Sequence, residues 1–287
     1  MATKTCGMTG TPIWLNWPDV HAIDEGVLMT EFGLHDGVRV ERDGDLVRVT
    51  LCNPEARNAQ NPATWRRLAS IPDLLTQDVR AVVLTGEGVS FSAGLDRRML
   101  TPEGVPGEES IQTLAAYDNA TMDGLIHAWQ GAFTWWGEVP QVTVAMVQGH
   151  AIGAGFQLAL ACDLMVVADD AKLAMRETSL GLVPDLAGTA PLVSRVGYSR
   201  AFEICASGRF VEAAEAVRTG IAIAQVPVGE WDDYLSTLLA PILAALPNAV
   251  FELKALLRGA DTAPDQTARE RAAQLRRLAE LRALMGG

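Results

Sequence analysis

Two apolar patterns organise the chain. "VRVERDGDLVRVTL" (38–51) alternates apolar and polar positions on either side of Asp43-Gly44, which predicts a β-hairpin with one buried face. "VRAVVLTG" (79–86), "QVTVAMVQG" (141–149) and "CDLMVVAD" (162–169) are continuous β-branched and apolar runs, the pattern of strands buried on both faces. Between them the period changes. A helix is predicted after Asn61, a suitable N-cap, with Pro62 at its first position, and a long helix over 110–136. "GHAIGAGFQLALACDL" (149–164) reads as a tight glycine turn that opens a further helix. From Glu212 onward the pattern is mostly helical, ending in a mixed-charge helix over 264–285. Strands alternating with helices make the core α/β. The apolar stripes of the helical tail need a partner surface, as a lid or as an oligomer interface.

Length and charge narrow the function. With 287 residues, 49% of them apolar, the chain is long enough for one large domain with appendages. The divisions expected are an N-terminal extension (1–35), a core bearing the active site (36–210) and a helical C-terminal region (211–287). The richest apolar run, Ala151 to Ala168, is broken by Gln157 and Asp163, so no membrane span is expected. The first twenty residues have no apolar h-region, so no signal peptide is read there, and a cytoplasmic location is expected. Four scattered cysteines and four scattered histidines lack metal-ligand spacing, so neither disulfides nor a metal is expected. A formal net charge of −12 opposes nucleic-acid binding but leaves room for a small anion held by a few local arginines.

Two strand exits carry candidate chemistry. "FSAGLD" (91–96) follows one buried strand and "GHAIGAGFQ" (149–157) follows the next. Their small residues let a ligand approach the backbone closely. If the loops converge, the N–H of Ala93 and the N–H of Ala154 grip one oxygen, the second from a helix N-terminus where the dipole adds positive potential. The plainer alternative is that these glycines only permit tight strand–helix connections.

These segments resemble the crotonase superfamily, the enoyl-CoA hydratases and isomerases. "NPEARNA" (53–59), "VVLTGEGVSFSAGLD" (82–96) and "VAMVQGHAIGAGFQLALACDLMVVADDAKLAMRETSLGLVPDLAGTAPLVSRVG" (144–197) stand in the family's order and spacing, and the likeness covers roughly residues 36–285. It implies a spiral of ββα units followed by a helical oligomerisation region, a homotrimer or dimer of trimers, and an acyl-CoA thioester substrate with no separate cofactor. It carries Ala93 and Ala154 over as backbone oxyanion donors. Arg57 and Ala59 fall where the family's residues lie along CoA, and Ser92, Leu95 and Asp96 flank the ligand on the first loop. Asp96 is equally readable as a local loop cap.

Of the two positions that commonly hold acid–base carboxylates, Glu177 fills one and Gln157 the other. An amide orients water or ligand but does not shuttle a proton at neutral pH. Asp185 stands where hydratases usually have glycine, and this segment is more similar to dienoyl-CoA isomerases. His150, Trp135 and Trp136 read as structural. One carboxylate, with or without Asp185, favours double-bond isomerisation with Glu177 as acid and base. Hydration of a 2-enoyl thioester, and a non-catalytic acyl-CoA-binding homologue, are the alternatives.

Overall fold

The computed structural model describes residues 32–260 and 263–285, so all but the last four residues of the expected extension lie outside it. The predicted hairpin forms as β2 (Val38–Asp43) and β3 (Leu46–Leu51), joined by a two-residue turn at Gly44 and Asp45. β1 (Gly33–His35) pairs antiparallel with β2, so the sheet begins inside the stretch read as the extension. α1 (Pro62–Ser70) starts as expected, with the Asn61 side chain accepting from Thr64 N at 3.1 Å. β4 (Ala81–Gly86) then lies parallel to β3.

The long helix expected over 110–136 is two. α2 (Ile111–Leu114) ends early, and Asp118 opens α3 (Asn119–Glu138) by accepting from Ala120 N and Thr121 N. A carboxylate that takes two free N–H groups makes a stronger helix start than a mid-helix position.

The centre is built from strand–strand–helix turns. β5 (Val142–Val147) leads to β6 (His150–Ile152) and α4 (Ala154–Ala161). β7 (Leu164–Val167) leads to β8 (Lys172–Ala174), then α5 (Thr189–Val196) and α6 (Tyr198–Ser207). In each turn the first strand enters a large sheet and the second a small one. After β9 (Val211–Glu212) and α7 (Ala213–Thr219), β10 (Ala224–Gln225) closes the large sheet, in the order β1-β2-β3-β4-β5-β7-β10. β6, β8 and β9 form the small one. The core therefore runs on to about Val226, beyond the division expected at 211. Val211, Ala213, Ala216, Ile221 and Ala222 are all buried in it.

Both faces of the large sheet are covered, which explains its continuous apolar strands. Val82, Leu84, Ala145 and Val147 face a core shared with α1, α3 and α4. Ala81, Val83, Val144 and Met146 face the opposite way, against α8 (Trp231–Ala244) and the start of α9 (Pro247–Arg258). α10 (Gln266–Met285) packs on α9. Every residue of α4 is buried, including Gln157. Among the described residues no single helix is long and apolar enough to cross a membrane.

Candidate active site

Three strand ends meet at one place. β6 pairs parallel with β8, Ile152 opposite Ala174, and Gly153 N donates to Ala174 O at 2.8 Å. Parallel register therefore sets the first residues of α4 beside Met175 to Glu177. The first loop joins through a bridge between Ser92 and Ala151: Ser92 N donates to His150 O at 2.9 Å and Ile152 N to Ser92 O at 3.0 Å. The loops that the sequence brings forward as a pair do converge.

The contact is tight at Gly94. A Cβ there would lie 2.2 Å from Ile152 O and 3.4 Å from Ala154 N, and φ is +82°. Only glycine lets the backbones approach this closely.

A buried polar network shapes the first loop. Gln60 donates to Ser92 Oγ at 2.9 Å and accepts from Trp65 Nε1 at 2.9 Å. Ser92 Oγ donates to Asn58 O at 2.7 Å and accepts from Gly94 N at 3.2 Å. The Asn58 amide donates to Glu87 O and Ser90 O. Ser92 is thus wholly buried, and its hydroxyl holds the loop together. Asn58 and Gln60, not singled out from the sequence, fix the loop; burial of their amides requires partners on distant segments, which local pattern does not show.

This network corrects one donor. Ala93 N donates to Arg57 O at 2.8 Å, so it is not free for a ligand. Gln60 N donates to Gly94 O and Asp96 N donates to Gln60 O, which turns the N–H of the intervening Leu95 away from Gln60. Among the described residues the Leu95 N–H has no acceptor. The Ala154 N–H, at the first position of α4, has none either.

Glu177 sits beside that helix start. Its Oε1 accepts from Gln157 Nε2 at 2.7 Å, while its Oε2 is buried and without a partner among the described residues. Burial pushes the Glu177 carboxyl above the ordinary range, the charge of Asp185 adds to this, and hydrogen bonds from the backbone and Gln157 oppose it. Burial also raises Asp185, whose backbone oxygen accepts from Gln130 Nε2 at 2.7 Å. Gln157 Oε1 accepts from Leu186 N at 3.0 Å and Gly188 N at 3.3 Å. Glu177, Gln157 and the Asp185 turn therefore form one cluster.

The sequence model of the enoyl-CoA hydratase/isomerase family matches residues 41–282. This chain belongs to the enoyl-CoA hydratase/isomerase family. Within that family it is similar to a Thermobifida fusca YX protein described as an enoyl-CoA hydratase and solved with acetoacetyl-CoA. The two are 44% identical, with TM-score 0.81, over 85% of this chain and 95% of that one. A Thermus thermophilus protein named as an enoyl-CoA hydratase is 35% identical over 77% of this chain and 83% of its own length. A Dictyostelium discoideum mitochondrial Delta(3,5)-Delta(2,4)-dienoyl-CoA isomerase is 29% identical over 63% and 62%. The ββα turns and the C-terminal helices are those of the crotonase fold.

As an enzyme of the enoyl-CoA hydratase/isomerase family, the chain commits its remaining candidates differently. Asp96 accepts from Arg98 N at 2.9 Å and from the Arg98 guanidinium at 2.7 Å, which holds its carboxyl below the usual range. It caps the short turn at 97–100, the loop-cap role open to it from the sequence. Arg57 is exposed on a left-handed turn with φ +52°. Ala59 lines a cavity of about 210 Å³ with Asp36, Cys52, Asn53, Asn61 and Thr64, to which neither Glu177 nor Ala154 contributes. His150 lies edge-on to Phe210, and Trp135 stacks on Trp136 within the core. Among the described residues no group of three His, Cys, Asp or Glu side chains has the geometry of a metal site.

Proposed function

We propose that this enzyme moves a double bond along an acyl-CoA thioester, with Glu177 as both base and acid. The observation that carries this reading is Glu177 Oε2, among the described residues the single buried carboxylate oxygen without a partner, beside the free N-terminus of α4. Leu95 N–H and Ala154 N–H supply the oxyanion hole, and the dipole of α4 adds to the second.

With a 3-enoyl thioester, Glu177 Oε2 removes a proton from the carbon next to the carbonyl. The C–H electron pair moves into the thioester, and the carbonyl oxygen takes the charge between the two N–H groups. The pair then returns through the conjugated system as Glu177 delivers the same proton two carbons further along. No proton is gained or lost, so one carboxyl suffices. The Thermobifida fusca complex with acetoacetyl-CoA supports a CoA thioester as substrate. Arg57, exposed on its loop, offers a cation to the CoA phosphates. A homotrimer or dimer of trimers is part of the same proposal.

Hydration of a 2-enoyl thioester is the second reading, favoured by the names of the relatives in Thermobifida and Thermus. It needs a second proton carrier, and Asp185 is the group at hand. Incubation with 3-enoyl-, dienoyl- and 2-enoyl-CoA, with products separated by chromatography, decides between them. Isomerised products with slow or absent 3-hydroxyacyl-CoA are expected. Rapid hydration with no isomerisation overturns the proposal, and thermal stabilisation by acyl-CoA without turnover would identify a binding protein.

A further inference from the structure

We propose that Gln157 is a positioning residue: its amide ties the Leu186–Gly188 turn to Glu177 Oε1 and reserves Oε2 as the one oxygen that takes and returns the proton. The inference rests on the reading of Glu177 as the acid–base group.

The argument starts with which way the amide faces. Gln157 is 1% exposed, so its polar atoms must find partners inside the protein. Its oxygen receives two backbone N–H groups, from Leu186 and Gly188. A flipped amide would set its NH₂ against both donors and leave its oxygen facing the Glu177 carboxylate, losing every bond at once. Gly188 makes the seat possible, because a Cβ there would lie 2.5 Å from Gln157 Cγ. Nε2 is therefore held toward Glu177 Oε1 at 2.7 Å.

The consequence falls on Glu177. A proton on Oε1 would face the Gln157 N–H, donor against donor, so protonation occurs at Oε2. The same bond limits rotation of the carboxyl group, keeping Oε2 aimed at one place. A carboxylate at 157 would behave differently, since two carboxyl groups at this distance share a proton. The amide at 157 thus supports single-carboxyl chemistry.

Gln157→Met and Gln157→Glu test this. Methionine keeps length and removes the donor. Its kcat is expected to fall about 10–100-fold, the scale of a misplaced reacting group. KM should stay within about twofold, because binding by the backbone donors is untouched. The low-pH limb of the kcat/KM profile, set by Glu177 as base, should move to higher pH, since a hydrogen bond favouring the ionised form is gone. Glutamate keeps an acceptor for Leu186 and Gly188 and should move that limb further up while retaining more kcat than methionine.

An unchanged kcat and pH limb in Gln157→Met, or a raised KM at constant kcat, overturns the proposal. If circular dichroism shows that the methionine variant is misfolded, the glutamate variant's pH limb decides alone. A ¹³C-NMR titration of the Glu177 carboxyl with saturated acyl-CoA bound reads the same shift without turnover. Should the wild type turn over no acyl-CoA, the reading of Glu177 fails. The titration still tells whether Gln157 holds its carboxyl, and equal midpoints in wild type and variants would overturn that.

Discussion

Glu177 is held at one oxygen and open at the other, in surroundings that disfavour its charge. Its carboxyl titrates above the ordinary 4.5, chiefly from burial. A group whose proton is held more tightly in the folded state than in the unfolded one costs stability when pH rises past it. Between 4.5 and the raised folded value the native state binds more protons, so stability falls as pH increases through that window. Glu177→Gln removes the cost along with the chemistry. The variant should melt above the wild type at pH 7, with the difference vanishing as pH falls toward 4.5. Its kcat should drop about 10²–10⁴-fold, the usual contribution of acid–base catalysis. Because the proposed oxyanion donors are backbone groups, acyl-CoA affinity should be nearly kept. Melting curves across pH with calorimetric binding check all three, and a lower melting point at pH 7 would show that the charge of Glu177 stabilises the fold.

At the scale of elements, the site exists because loops are pressed together. Gly94→Ala would drive a Cβ into Ile152 O, a backbone atom that cannot swing aside. Separating the two loops should cost about 10²–10³ in kcat, as when an oxyanion donor is lost. Unchanged turnover in that variant would place the hole elsewhere. The elements themselves were legible. The hairpin at 38–51, the three buried strands, the Asn61 cap and the opening of α4 all follow from local pattern, which is where period and capping act. Glu177 and Gln157 were legible as neighbours only through the family resemblance. Ala93 was misassigned because which N–H of a loop stays free depends on pairing with Arg57 and Gln60, more than thirty residues upstream. The Asp118 break was missed because an aspartate inside an apolar-periodic stretch does not declare whether it caps or merely faces water.

Besides apolar packing, α9 is tied to this framework at one acidic residue. Asp163, at the end of α4, accepts from Thr143 N and Thr143 Oγ1 and pairs with Lys254 Nζ at 2.7 Å and Arg258 Nη2 at 3.1 Å. Lys254 also donates to Trp136 O and Gln141 O, and burial lowers its pKa. Asp163→Asn leaves a buried ammonium without its counter-charge. A loss of about 3–5 kcal/mol is expected in denaturant titration, as for breaking a buried ion pair from one side. A loss within about 0.5 kcal/mol, the usual range for a surface change, would mean that the ion pairs of Asp163 do not hold α9.

Across the whole molecule, covering both faces of the large sheet within one chain does not exhaust the apolar surface. Tyr198 and Phe202, stacked on α6, are 72% and 60% exposed, and Leu180, Leu182 and Val183 follow Glu177 at the surface. Leu275, Leu278, Leu281 and Leu284 recur along α10 and are exposed as well. Clustered exposed apolar residues mark interaction surfaces, and self-association is one way to cover them. A net charge of −12 opposes loose aggregation, so a closed, specific assembly is expected rather than an open one. Light scattering coupled to size exclusion should give three or six times the chain mass of 30.7 kDa. Phe202→Asp and Leu278→Asp, placed on different helices, should each shift the population toward smaller species if their helix lies in an interface. A helix whose variant leaves the mass unchanged is solvent-facing, and a wild-type mass of 30.7 kDa at micromolar concentration would rule out the assembly.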